Sequence, residues 1–331
     1  MPTRAAAEAA TPDRVAHHRF RANQLLTSQM ARIQERMAKI EPFPGKPQQQ
    51  PEDETKQQSQ QAAESIADMT TRRTAHEIFT NVEKNAHDEL KRSSRALAFS
   101  GLAGGFGMGL TGLAVAAVHA AVGEGKMQEF ISLLFYPLGF ISVIIGRAQL
   151  FTENTLYPVA LILSERKHFF DTLRLWVIVF FSNVIGAAVF AALMVRTPSL
   201  KGEVAHQLIT LGQNAVVGPH SHIFWSGVVG GWIIALMAWI VSASHWTIGQ
   251  VVIVWSLTVV VGMGHFAHCI ASSGEILSSV FAGHVAMTAY IAWLGIATLG
   301  NICGGVTFVT LLNFGQVTDE KTDQQENGHE E

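Results

Sequence analysis

Charge is scarce over most of this 331-residue chain. Positions 96–314 hold seven basic residues (Lys126, Arg147, Arg166, Lys167, Arg174, Arg196 and Lys201) and seven acidic ones (Glu124, Glu129, Glu153, Glu165, Asp171, Glu203 and Glu275). Residues 1–95 carry 15 of the 23 Lys and Arg and 13 of the 26 Asp and Glu. So polarised a chain excludes a single soluble domain and indicates a multi-span membrane protein with a polar N-terminal extension. Cysteine is also rare. Cys269 and Cys303 both lie in apolar stretches, so no disulfide framework is expected. The first 40 residues contain no uninterrupted apolar core, so no signal peptide is expected. Basic residues of the extension are mixed with acids, which gives nucleic-acid binding no support.

What is present is a series of long apolar runs. Six segments approach the roughly 20 residues that a bilayer core requires: about 97–121, 130–163, 170–195, 222–243, 248–282 and 285–314. The expectation is an all-α membrane protein with domains at 1–94, 95–314 and 315–331. The first region reads as an amphipathic helix within 1–41, a Pro/Gln-rich linker at 42–61 and a polar helix at 62–94. Lys91, Arg92 and Arg95 precede the first span, and Arg166, Lys167 and Arg174 separate the second from the third. These sets predict cytoplasmic N- and C-termini.

The chain also repeats itself. Ser100-Gly-Leu-Ala-Gly-Gly-Phe106 matches Ser226-Gly-Val-Val-Gly-Gly-Trp232, and Asn183-Val-Ile-Gly186 matches Asn301-Ile-Cys-Gly304. Each half holds three spans, so the halves lie inverted in the membrane. The second and fifth spans are both interrupted, by Thr152–Thr155 (TENT) and His265–Ser273 (HFAHCIASS). Paired broken helices in inverted repeats predict a substrate path at their interface. Glycines at 101, 105 and 109, and at 227 and 231, have the spacing that lets helices approach closely.

The interruptions carry the candidate chemistry. Ser272-Ser-Gly-Glu275 fits a capping box that restarts a half-helix, and Thr152 or Asn154 is placed to cap the other. Two half-helix N-termini facing the membrane interior favour an anion. His268 is an intramembrane histidine, a functional candidate because an imidazole titrates near neutrality and exchanges a proton with a weak acid. Otherwise its ring hydrogen-bonds the broken backbone. His265 lies nearer the mouth. Arg147 and Glu153 are costly at membrane depth, which predicts pairing, contact with water or a place near an interface. Phe151 and Phe266 flank the breaks as gates or as core.

Leu150-Phe-Thr-Glu-Asn-Thr155, Gly264-His-Phe-Ala-His-Cys-Ile-Ala271, Asn183-x-x-Gly186 and Leu299-Gly-Asn-Ile-Cys-Gly-Gly305 together resemble the motifs of the formate/nitrite transporter family over roughly residues 70–314. The resemblance implies an aquaporin-like six-helix protomer in a homopentamer of the bacterial inner (plasma) membrane. It implies a pore in each protomer for small monovalent weak-acid anions, and no cofactor. It places the pore histidine at His268, the loop threonine at Thr152, the flanking asparagines at Asn183 and Asn301, and the aromatic constriction at Phe151, with Phe266 its second-half counterpart. The family's glutamate before the histidine is Ala267 here, its asparagine after it is Ser272, and its third-helix lysine is Ile178. Glu153 adds an acid, so the positive field along the path is weaker. A neutral-solute channel of the same fold is the alternative, although the paired Asn-Pro-Ala signatures of water channels are absent. A remote alternative is an intramembrane enzyme: Ala271-Ser-Ser-Gly274 with His284 is the nearest match to a serine-protease motif, and it lacks the first glycine. Haem binding lacks support because the third span has no histidine.

Overall fold

The computed structural model describes residues 72–122 and 125–317. The expected amphipathic helix within 1–41, the linker at 42–61 and most of the C-terminal tail lie outside these residues.

Among the described residues every regular element is helical, with no strand. A short helix, α1 (Ala75–Leu90), precedes the first span. Thr74 and Glu77 start it with a reciprocal capping box: the Glu77 N–H donates to Thr74 Oγ1 at 3.2 Å, and the Thr74 N–H donates to Glu77 Oε2 at 2.7 Å. The helix is not merely polar. Phe79, Val82, Ala86 and Leu90 form a buried stripe, and the Phe79 ring packs 6.4 Å from Trp239 and 5.9 Å from Phe314. At its end, Arg174 Nη2 donates to the Leu90 carbonyl at 2.7 Å, satisfying an acceptor that the helix leaves open.

The first span is α2 (Ser94–Val122). The second is built in pieces: α3 (Lys126–Leu133), α4 (Leu138–Ile145), a short turn of 3₁₀ helix at Glu153–Thr155, and α5 (Tyr157–Glu165). The third is α6 (Phe169–Arg196). The connection between the third and fourth spans contains α7 (Gly202–Ala215), which packs against α2 and against the half-helix of the fifth span. The fourth span is α8 (His220–Ala243), the fifth is α9 (Thr247–Met263) with α10 (Ala271–Phe281), and the sixth is α11 (Met287–Gly305), continued by a π-helical segment, Val306–Leu311. Among the described residues, five runs are long and apolar enough to cross a membrane: Ser94–Val122, Lys126–Ile145, Phe169–Arg196, His220–Ala243 and Met287–Val317. Thr247–Met263 has only 17 residues, because the break at 264–270 cuts the fifth span.

The two repeats pack alike. Helix α2 lies along α6, and α8 lies along α11. A side chain on Gly105 would overlap the Asn183 carbonyl, and one on Gly231 would overlap the Asn301 carbonyl. Without a hydrophobic force between helices in lipid, such backbone approach supplies much of the packing energy. Gly105→Ala and Gly231→Ala are each expected to cost about 1–3 kcal/mol through forced separation, read as a lowered melting temperature of the detergent-solubilised protein. An unchanged melting temperature for both would refute this packing argument.

Candidate functional site

Two buried asparagines fix the two breaks by the same three hydrogen bonds. Asn183 Oδ1 accepts from the Phe151 N–H at 2.9 Å, while its Nδ2 donates to the carbonyls of Gly101 (2.7 Å) and Gln149 (2.9 Å). Asn301 Oδ1 accepts from the Cys269 N–H at 2.9 Å, while its Nδ2 donates to the carbonyls of Gly227 and Ala267, both at 2.8 Å. Two serines extend the match: Ser100 Oγ accepts from the Gln149 N–H at 3.1 Å and Ser226 Oγ from the Ala267 N–H at 2.9 Å. An asparagine amide has one acceptor and two donors at one end. Here each amide saturates backbone that a broken helix would leave unpaired in an apolar medium.

This register makes the halves chemically unequal at their centre. Phe151 corresponds to Cys269, not to Phe266, which stands opposite Ala148. Thr152 corresponds to Ile270, and His268 to Leu150. Each half thus gives one polar side chain to the middle, and the two meet: Thr152 Oγ1 lies 2.7 Å from His268 Nε2, with both residues fully buried. The Ala271 N–H donates to His268 Nδ1 at 2.9 Å. A backbone N–H can only donate, so Nδ1 is the acceptor nitrogen. The neutral ring therefore carries its proton on Nε2, donates it to Thr152 Oγ1, and leaves the threonine hydroxyl proton free to donate elsewhere.

This bond corrects the expected capping. Helix α10 begins at Ala271, one residue before the Ser272–Glu275 box, with no side-chain cap from its preceding residue. The His268 side chain reaches the first N–H instead, and the Ser272 and Ser273 N–H groups donate to the carbonyls of His268 and Ile270. These three donors are spent internally, so only the remaining helix dipole favours an anion there. Neither Thr152 nor Asn154 caps α5. Thr152 faces His268, and Asn154 Nδ2 donates to Gln149 Oε1 and to the Leu150 carbonyl.

Two cavities, referred to as vestibules, border the two breaks, one lined by Gln149 and Asn154 and the other by Ala267 and Ser272, and among the described residues they share none. The one on the α1 side is a cavity of about 380 Å³ whose wall includes Arg73, Lys84, Arg147, Gln149 and Glu153. Glu153 there accepts from the Tyr157 hydroxyl at 3.2 Å. The far vestibule, about 420 Å³, is bounded by Glu129, Tyr136, His222, His265, Phe266 and Glu275. His265 is at the mouth, its Nε2 3.2 Å from Glu129 Oε1, with a left-handed backbone (φ 48°). Arg147 occupies the corresponding position of the first half and has φ 57°.

The aromatic side chain against the histidine is Phe140, which the sequence reading missed. Its ring meets the His268 ring edge-on at 5.1 Å, with Tyr136 a further 5.7 Å along. The Phe151 ring packs instead against Trp176 (5.7 Å) and Phe180 (5.1 Å) of α6. No local pattern marks Phe140, because every position of LGFISVII in α4 is apolar or small.

The formate/nitrite transporter family model matches residues 76–315. The chain belongs to the formate/nitrite transporter family. Relatives include the inner membrane protein YfdC of Escherichia coli (strain K12), 29% identical over 75% of this chain and 80% of its own. A probable formate transporter of Methanothermobacter thermautotrophicus is 29% identical over 68% of this chain and 90% of its own. Two solved structures share the fold. An FNT family ion channel has a TM-score of 0.62 at 18% identity, over 71% of this chain and 96% of its own. A pentameric formate channel with formate bound has a TM-score of 0.52 at 16% identity, over 71% of this chain and 98% of its own. This chain is therefore a membrane protein of a transport family, with the inverted repeat and two broken helices that the sequence predicts.

Proposed function

We propose that each protomer conducts a small monovalent weak acid of the formate or nitrite class between the two vestibules, past Phe140 and the Thr152–His268 pair. The observation that carries this reading is the pair itself: two polar side chains, one from each break, joined where both are fully buried, with the Phe140 ring edge-on to the imidazole. Such a site offers a solute one hydroxyl donor and little compensation for charge, so a bare anion pays heavily to enter. Among the described residues, the far vestibule has Glu129 and Glu275 in its wall and no Lys or Arg. Both features favour passage as the neutral acid, protonated from bulk water at one vestibule and releasing its proton at the other.

The proposed orientation places α1 and both termini in the cytoplasm, following the basic residues around the first and third spans. The proposed assembly is a homopentamer in a bacterial inner membrane. The apolar residues exposed on α6, such as Phe181, Ile185 and Val189, are suited to lipid or neighbouring protomers.

The acids in both vestibules also suit a neutral-solute channel, which is the competing reading. Uptake of formate, nitrite, acetate and glycerol by proteoliposomes separates the two. The weak-acid reading expects formate or nitrite uptake to rise as pH falls, by about tenfold per unit well above the acid's own pKa, since the neutral fraction does so. Glycerol permeation without acid uptake would overturn it.

A further inference from the structure

Away from the path, three ligand-bearing side chains from three elements converge where α1 meets the α5–α6 turn. His87 comes from the last turn of α1, Glu165 ends α5, and His168 immediately precedes α6. His87 Nε2 lies 2.7 Å from Glu165 Oε1, and His168 Nε2 lies 3.1 Å from Glu165 Oε2. The carboxylate is therefore bracketed by two imidazole nitrogens, one on each oxygen. All three ligand atoms lie within 4.8 Å of one another. The two rings stand nearly perpendicular, at 85° with centroids 5.6 Å apart.

We propose that His87, Glu165 and His168 form a site for a divalent transition cation of the zinc type, which clamps α1 onto the membrane domain. The donor set is the two imidazoles and one carboxylate that zinc accepts, with the fourth position left to solvent. Metal–ligand bonds of about 2.0–2.1 Å in a tetrahedron place ligand atoms roughly 3.3 Å apart, so the observed separations need only small side-chain shifts. A carboxylate behind the ring is present too: His168 Nδ1 lies 3.5 Å from Asp171 Oδ2, the arrangement that orients a metal-bound imidazole. The three side chains remain about one-third exposed, so an ion reaches them from solvent. His168 has a left-handed backbone, φ 67°.

The test uses the full chain in detergent, purified without a polyhistidine tag. Equilibrium dialysis against ⁶⁵Zn²⁺ should find one ion per protomer that the His87→Ala/His168→Ala double variant loses, with affinity reduced at least about tenfold. Glu165→Gln should weaken binding as well. Co²⁺ should give visible bands of a four-coordinate site in the parent and not in the double variant. Zn²⁺ should slow amide exchange across residues 75–90 in the parent alone. The melting temperature and oligomer size of the variant, measured without metal, establish that it is folded. Equal zinc stoichiometry and affinity in a folded double variant would overturn the site, leaving a hydrogen-bonded cluster only. Binding without slower exchange in α1 would overturn the clamp. None of these readouts depends on which solute the pore conducts.

Discussion

His268→Asn is expected to assemble normally and to conduct poorly. The oxygen of the introduced amide retains an acceptor for the Ala271 N–H, but the shorter side chain does not reproduce the imidazole contact with Thr152 or the edge contact with Phe140. Weak-acid uptake in proteoliposomes should fall by on the order of tenfold or more, equivalent to about 1.4 kcal/mol on the barrier. Its rise with falling pH should persist, because bulk water supplies the proton. Loss of that slope at an unchanged maximum would instead make the imidazole the proton carrier. His268→Ala differs instructively: it also orphans the buried Ala271 N–H, at a cost of about 1–3 kcal/mol. It should therefore lose stability that His268→Asn keeps. Parent-like uptake in both variants would remove His268 from the path.

Asn183→Ala and Asn301→Ala should have the largest effects on stability. Each removes three hydrogen bonds and leaves a backbone N–H and two carbonyls without that partner at the centre of the bundle. With each buried bond worth about 1 kcal/mol and each orphaned group costing more, the loss is about 3–5 kcal/mol per variant. For a domain of this size that corresponds to a melting temperature lower by roughly 10 °C. The two losses should be similar, since the two networks are copies. Asn183→Asp is the control: it preserves the acceptor for Phe151 and removes both donors. Melting of the solubilised protein measures all three. A shift below about 2 °C for both alanine variants would contradict the structural role given to these residues.

The parts of the fold legible in the sequence are those that physics ties to particular residue types. Close helix contact demands glycine, and saturating a broken helix demands a side chain with both donors and an acceptor. Gly105, Gly231, Asn183 and Asn301 therefore stand out in a chain of otherwise interchangeable apolar residues. Thr152 and His268 were readable because polar groups at membrane depth are costly. Their 2.7 Å contact was not, because 116 positions separate them. Phe140 was invisible for the opposite reason: one aromatic residue in a uniformly apolar helix carries no signal about which way it faces. The Ser272–Glu275 box misled because its letters fit a local rule that His268, four residues earlier, pre-empts. Glu275 turns instead toward the far vestibule. Helix α7 was hidden in a connection of mixed polarity. It orders because Leu208 and Gly212 bury against the bundle.

Solute is held to cross between the two vestibules through the constriction at Thr152 and His268, and a plug at one vestibule tests that most directly. Ala148 lines the α1-side vestibule beside Arg147, and Cys303 is the exposed native thiol. The measurement is uptake of the best-conducted solute by proteoliposomes bearing Ala148→Cys with Cys303→Ser, before and after complete reaction with a bulky methanethiosulfonate. Modification should stop uptake, and a reducing agent should restore it. Undiminished uptake through fully modified protein would mean that the path lies elsewhere.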